Sequence, residues 1–251
     1  MSTHSLDFIP PVLGHRGSRM HAPENTLAGI RSAHEQGCRG VELDVKITRD
    51  GVPVLLHDDS VDRTTTGTGN AYAIDARDMV ALDAGTPFSP DFAGEPVPYL
   101  RDAIALVLDL GLVLNLEIKP DAGKAVETTQ AALDVLGKMW PDDRPPPLIS
   151  SFHAWSVGES MRLRPDWPRG LIMDERAPDW QKLVGELQLS SLHPAHARED
   201  DAGFAEMMAT GCKILTYTCN EADRAQHLLS LGVTSVITDT PKTLFDAGIP
   251  S

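Results

Sequence analysis

The chain has 251 residues, 41% of them hydrophobic and 23% charged, enough for a full core and too apolar for a disordered polypeptide. Its formal net charge of −14 repels nucleic acid and anionic lipid, and any anion-binding site must bring its own Arg, Lys or metal charge. Cys38, Cys212 and Cys219 form no CxxC pair, which argues for a reducing compartment and against a disulfide framework.

The opening stretch MSTHSLDFIPPVLGHRG lacks a basic segment followed by an apolar one, and no apolar run is long enough to span a membrane. A cytoplasmic protein without stable membrane association is expected. Pro11–His15 reads as a strand. ENTLAGIRSAHEQG follows with Leu27, Ile30 and His34 at helical spacing and Gly37 as a stop. Strand-like runs come next at Val41–Thr48 and Val52–His57. Further runs lie at Val113–Lys119, Leu148–Phe152, Leu171–Met173, Leu189–His193, Ile214–Cys219 and Ser235–Thr238. Helical patterns separate most of them, among them LRDAIALVLDLG, GKAVETTQAALDVLGKMW and EADRAQHLLSLG.

Nine runs exceed by one what a (β/α)8 barrel requires. Only TRDGV lies between the second and third, too short for a parallel crossover, whereas Asp-Gly is a hairpin signal. The third run is therefore an antiparallel return strand, and eight remain for an α/β TIM barrel. A two-residue Asp50-Gly51 turn would set Asp44 opposite His57 and Glu42 opposite Asp59; a bulge would move that register by one. Residues 60–99 are rich in Gly, Thr, Pro and Asp, so 50–99 reads as an insertion of return strand plus lid-like loop in a single domain, 1–251.

Barrel active sites form at the C-terminal strand ends. Those ends carry Gly14-His15-Arg16-Gly17, Glu42 and Asp44, Glu117 and Lys119, Ser151-Phe152-His153, His193, Tyr217 to Asn220, and Asp239. Glu42, Asp44 and Glu117 are hard oxygen donors suited to Mg2+ or Ca2+; without a cation, one of them would tend to stay protonated. His15 and His57 titrate in the range useful for acid and base work, and Arg16 and Lys119 suit a phosphate. Each also has a plainer reading. Glu42 and Asp44 could be an exposed hairpin face, His57 a turn-adjacent surface histidine, His15 a capped loop residue, and Asp239 a helix cap rather than a site residue. Arg63 and the Thr/Gly run after it read as a loop, with a phosphate- or metal-adjacent role as the alternative. His34 and His227 fall inside helical patterns and read as structural or exposed.

GHRG, APENT at 22–26, ELDV at 42–45, DGVPVLLHDD at 50–59, DRTTTGTG at 62–69, FAGEPVP at 92–98, LNLEIK at 114–119, ISSF at 149–152 and ITDTP at 237–241 occur in that order. Together they resemble the glycerophosphodiester phosphodiesterase family, a TIM barrel with an insertion after its second strand. The resemblance implies hydrolysis of glycerophosphodiesters to glycerol 3-phosphate and an alcohol with a divalent cation. It matches His15 and His57 to the catalytic pair, Glu42, Asp44 and Glu117 to metal ligands, and Arg16 and Lys119 to phosphate contacts. Phe152, His193 and Tyr217 are weaker candidates for the pocket wall. Tyr217-Thr218-Cys219-Asn220 stands where the family usually begins with Trp, which bears on substrate preference. The expected partner is a small-molecule glycerophosphodiester, with homo-oligomerisation left open. The rival readings are a lysophospholipase-D-like or phosphoinositide-cleaving barrel, and a catalytically dead glycerophosphodiester-binding barrel.

Overall fold

A computed structural model describes residues 5–251; His4 and the start of the N-terminal stretch lie outside the described residues. Strand β1 (Val12–His15) leads through a loop into helix α1 (Leu27–Glu35), whose first turn is capped by the Thr26 hydroxyl accepting from Gly29 N–H. Strand β2 (Gly40–Ile47) turns back into the short β3 (Pro53–Leu55). The insertion follows, with only one α-helical turn, α2 (Ala76–Met79).

Regular alternation then resumes. Helix α3 (Leu100–Asp109) precedes β4 (Val113–Ile118), and α4 (Ala125–Met139) precedes β5 (Leu148–Ser151). Helix α5 (Ala154–Leu163), β6 (Arg169–Met173), α6 (Trp180–Glu186) and β7 (Ser191–Pro194) come next. The chain ends with α7 (Asp201–Met208), β8 (Lys213–Thr216), α8 (Ala222–Leu231), β9 (Ser235–Thr238) and α9 (Pro241–Asp246).

Eight of these strands pair in parallel, and β1 joins both β2 and β9, so the sheet closes on itself. Strand β3 is the exception, antiparallel to β2. The (β/α)8 barrel expected from the strand count is the observed fold. Alternation along each strand sorts the side chains. Val41, Leu43 and Val45 of β2 pack with Leu100, Ile104, Val107 and Leu133 in the helical layer, which sends Glu42, Asp44 and Lys46 inward. Leu13, Leu148, Leu215 and Ile237 fill the lower interior with Leu6 and Ile9, making an apolar floor beneath a polar mouth. Among the described residues, no helix is long and apolar enough to cross a membrane.

The hairpin differs from expectation by one residue. Val45 faces Leu55, Lys46 faces Val54 and Ile47 faces Pro53, while Leu56 N–H donates to the Asp44 carbonyl. Asp44 therefore lies opposite Leu56 rather than His57, and Glu42 does not face Asp59, which instead pairs with Lys46. The cause is the turn. Thr48 N–H bonds to Val52 O and Gly51 N–H to Thr48 O, giving a three-residue loop with Gly51 at φ +79°.

The corrected register explains how the second histidine reaches the site. Strand β1 covers only the lower part of one β2 edge, with Gly14 beside Val41 and His15 beside Glu42. Strand β3 covers the upper part of that same edge, from Val45 to Ile47. The two strands approach end to end, and His57 emerges where they meet. An added Cβ at Gly51 meets nothing within 4 Å, so only the left-handed backbone opposes it. Gly51→Ala is expected to cost about 1–2 kcal/mol in urea unfolding, and Gly51→Asn less; equal stability of all three proteins would contradict the turn assignment.

Candidate active site

Glu42, Asp44 and Glu117 stand side by side because β2 and β4 pair with Asp44 opposite Glu117. One ligand oxygen from each lies within 4.8 Å of the others, and all three residues are buried. Burial raises the Glu42 carboxyl well above its usual range, and the charges of Asp44 and Glu117 push it further. Burial, then Asp44, raises Glu117 to about 7, even with Lys119 Nζ 3.0 Å from its Oε1. Asp44 moves the other way. Burial opposes ionisation, but Arg16, His57 and Lys119 outweigh it, and Asn25 Nδ2 donates to Asp44 Oδ2 at 2.8 Å.

The donor chemistry and the buried, unpartnered Glu42 Oε1 fit a hard divalent cation. A second trio of ligating types, His196, Cys219 and Glu221, follows the ends of β7 and β8. Its thiol packs in the helical layer with Ala225 and Leu228.

His15 ends β1 beside this cluster. Its Nδ1 lies 2.6 Å from Asp239 Oδ1, and its Nε2 accepts from Arg16 Nε at 3.2 Å. A proton on Nδ1 and a lone pair on Nε2 satisfy both contacts. Burial lowers the His15 pKa, partly offset by the Asp239 hydrogen bond. Asp239 is fixed in turn: Asn220 Oδ1 accepts from Asp239 N–H and from Thr238 Oγ1, while Asn220 Nδ2 donates to Asp239 Oδ2. The Asp239 side chain makes no capping bond to α9 and is taken up by His15 and Asn220 instead.

His57 has a parallel arrangement, with Nδ1 2.7 Å from Asp58 Oδ1. Its pKa is lowered, first by burial, against the pull of Asp44. Both imidazoles thus have a carboxylate at Nδ1, the arrangement that fixes a histidine's tautomer and ring orientation.

Arg16 adopts φ +51°, a conformation unfavourable for a side-chain-bearing residue. The surroundings hold it there: its N–H donates to Glu42 Oε2 at 3.2 Å and its carbonyl accepts from Asn25 N–H. Its guanidinium reaches Asp44 Oδ2 at 3.2 Å and Glu24 Oε1 at 2.7 Å. Two flanking glycines allow the tight loop.

Around the mouth, Phe152 and Tyr217 form an edge-to-face pair with ring centroids 5.9 Å apart, and Lys119 Nζ stands 5.2 Å from the Phe152 centroid. Tyr217 keeps its hydroxyl buried and unpartnered. His193, the third residue expected on the pocket wall, has no exposed surface. Its Nε2 bonds to Ser191 Oγ, and burial lowers its pKa to about 3.

Two contributors, Glu24 and Lys46, escaped sequence reasoning, and the ion pairs of Arg63 did as well. Glu24 gathers Arg16, Arg19 and Arg63 onto one carboxylate. Arg63 also pairs with Asp58. Lys46, almost fully buried, bonds Asp59 Oδ1 at 2.6 Å and lies 3.7 Å from Asp121 Oδ1. Lys46 was detectable, since it continues the inward alternation of Glu42 and Asp44.

A closed (β/α)8 barrel with a cation-competent carboxylate cluster and two anchored imidazoles at its strand ends is built as a barrel hydrolase of phosphoric esters. Residues 15–243 match the Glycerophosphoryl diester phosphodiesterase family. The chain is 30% identical over 235 residues to a glycerophosphodiester phosphodiesterase of Caldanaerobacter subterraneus, covering 94% of this chain and 96% of the relative. It is also 30% identical over 271 residues to human glycerophosphodiester phosphodiesterase 1, covering 95% and 82%. An Oleispira antarctica phosphodiesterase, solved in complex with the product sn-glycerol-3-phosphate, superposes with a TM-score of 0.92 at 36% identity, covering 96% and 97%. The chain belongs to the glycerophosphoryl diester phosphodiesterase family, and is a phosphoric diester hydrolase.

The raised carboxyls make stability depend on pH. A carboxyl whose folded pKa exceeds its unfolded value destabilises the ionised fold, so the penalty sets in above about 4.5 and is complete for Glu117 once pH passes about 7. Metal-free protein should therefore lose stability from this cluster between pH 5 and 8. Added Mg2+ or Ca2+ should raise Tm more at pH 8 than at pH 5, by differential scanning fluorimetry with EDTA controls. A cation effect independent of pH would contradict it.

Proposed function

We propose that the chain hydrolyses glycerophosphodiesters, such as glycerophosphocholine and glycerophosphoethanolamine, to sn-glycerol 3-phosphate and an alcohol, with His15 and His57 as the acid–base pair. The observation that carries this reading is the convergence of two carboxylate-anchored imidazoles on one β2 edge beside Glu42, Asp44 and Glu117. The product bound to the similar Oleispira antarctica phosphodiesterase supports the glycerophosphate half of the substrate.

Glu42, Asp44 and Glu117 would hold a divalent cation, Mg2+ or Ca2+, which when bound supplies charge neutralisation at the phosphoryl group. The protein's own residues do the rest. Arg16 and Lys119 border the cluster and offset phosphate charge. One imidazole takes a proton from the nucleophile, either water or the substrate's C2 hydroxyl whose cyclic phosphate is then opened by water, and the other delivers a proton to the departing alkoxide oxygen. Asp239 and Asp58 hold the two rings through Nδ1, which turns each Nε2 to that work, His15 Nε2 giving up its hydrogen bond from Arg16 Nε to do it. The Phe152–Tyr217 pair gives the mouth an apolar wall of two perpendicular rings, with Tyr where the family usually has Trp.

The protein should release glycerol 3-phosphate from glycerophosphocholine, lose that activity to EDTA and recover it with Mg2+ or Ca2+. Preferential turnover of lysophosphatidylcholine would favour the lysophospholipase reading, and binding without turnover under any cation a dead barrel. His15→Ala and His57→Ala should each lose roughly 10²–10⁴-fold in kcat. Asp239→Asn, which disturbs the His15 ring without removing it, should lose about 10²-fold. Near-normal turnover in either alanine variant would remove that histidine from the mechanism.

A further inference from the structure

We propose that Arg63, from the insertion, is a positioning residue that sets His57 and Arg16 together through Asp58 and Glu24. Its guanidinium is bidentate to both carboxylates. Nε and Nη2 lie 2.6 and 3.1 Å from the Asp58 oxygens, and Nη1 and Nη2 lie 2.8 and 2.7 Å from the Glu24 oxygens. Asp58 receives His57 Nδ1, and Glu24 receives Arg16 Nη1. The result is an unbroken series, His57–Asp58–Arg63–Glu24–Arg16, that ends on Asp44 and His15 Nε2.

The arrangement does something neither half could do alone. His57 lies just beyond the end of β3 and His15 at the end of β1, and no β-pairing joins those two ends directly. Arg63 spans the gap with a planar fork that matches two carboxylates at once, a geometry lysine cannot reproduce. Glu24 is nearly buried, with a side chain 9% exposed, so its position is set by the arginines around it rather than by solvent.

Arg63 is not needed to hold the insertion in place. That segment has its own core of Val54, Leu56, Val61, Ala71, Met79, Ala84 and Val97. It is also tied to the barrel elsewhere: Arg49 pairs with Asp75, and Glu95 Oε1 accepts from Ala28 N–H in the first turn of α1. A role in positioning is therefore separable from a role in folding.

This inference rests on the acid–base reading of His57, and the test keeps the two apart. Arg63→Met, assayed on glycerophosphocholine with saturating Mg2+, should lose roughly 10–10²-fold in kcat with KM changed by less than about threefold and Tm nearly unchanged. Arg63→Lys should recover part of the loss. Asp58→Asn should show a similar kcat defect, and the double variant should fall little below the worse single one, because both act through His57. Should Arg63→Met not fold, Asp58→Asn and Arg63→Lys read the same effect from either side of the series. Unchanged kcat in Arg63→Met beside an inactive His57→Ala overturns the positioning role alone. Additive losses in the double variant, or a defect confined to KM, also overturn it. Near-normal His57→Ala overturns the acid–base reading itself.

Discussion

Three carboxylates sharing a few ångströms of buried space are the constraint on which this structure depends. Two of them, Glu42 and Glu117, are pushed toward protonation by burial and by their neighbours' charge. Asp44 stays ionised because Arg16, Lys119 and Asn25 converge on it. Much of the mouth follows from that demand. Arg16 is held at positive φ to serve it, Asn25 closes the loop that holds Arg16, and Lys119 extends from the strand beside it. The apolar floor lets the charge be concentrated at one end, because Leu13, Leu148, Leu215 and Ile237 supply the packing that the polar end cannot.

The second organising feature is the divided edge of β2. A strand of eight residues beside a strand of four leaves backbone groups without a partner, and β3 fills that vacancy. Without it the upper edge of β2 would be open and no second imidazole would stand near the first. A hairpin that looks like an irregularity in the barrel's alternation is thus what completes both the sheet and the site.

Most of the architecture was legible in the sequence, because strand and helix periodicities are local properties. The reduction from nine runs to eight barrel strands needed only the length of TRDGV. The carboxylates and both histidines were legible for the same reason, since they punctuate strand ends. The hairpin register was not, because Asp-Gly serves a two-residue turn and a three-residue loop with a left-handed glycine equally well, and the difference of one residue is settled by Thr48 and Val52 pairing. Asp239 was ambiguous because an Asp before Thr-Pro fits both a cap and a site, and only the closed barrel brings it to His15. Glu24 and Arg63 were illegible as partners, since ion pairs between segments 39 residues apart leave no periodic trace.

The two imidazoles belong to different packing units. His15 is anchored in the barrel wall, whereas His57 follows Val54 and Leu56, both buried with the insertion's own small core. Small cores open at lower free energy than the body they rest on. A local opening of that unit would carry one imidazole away while the eight-stranded ring stayed intact. Turnover would then report a sub-global equilibrium, and on heating it would fail before the barrel's far-ultraviolet signal changed.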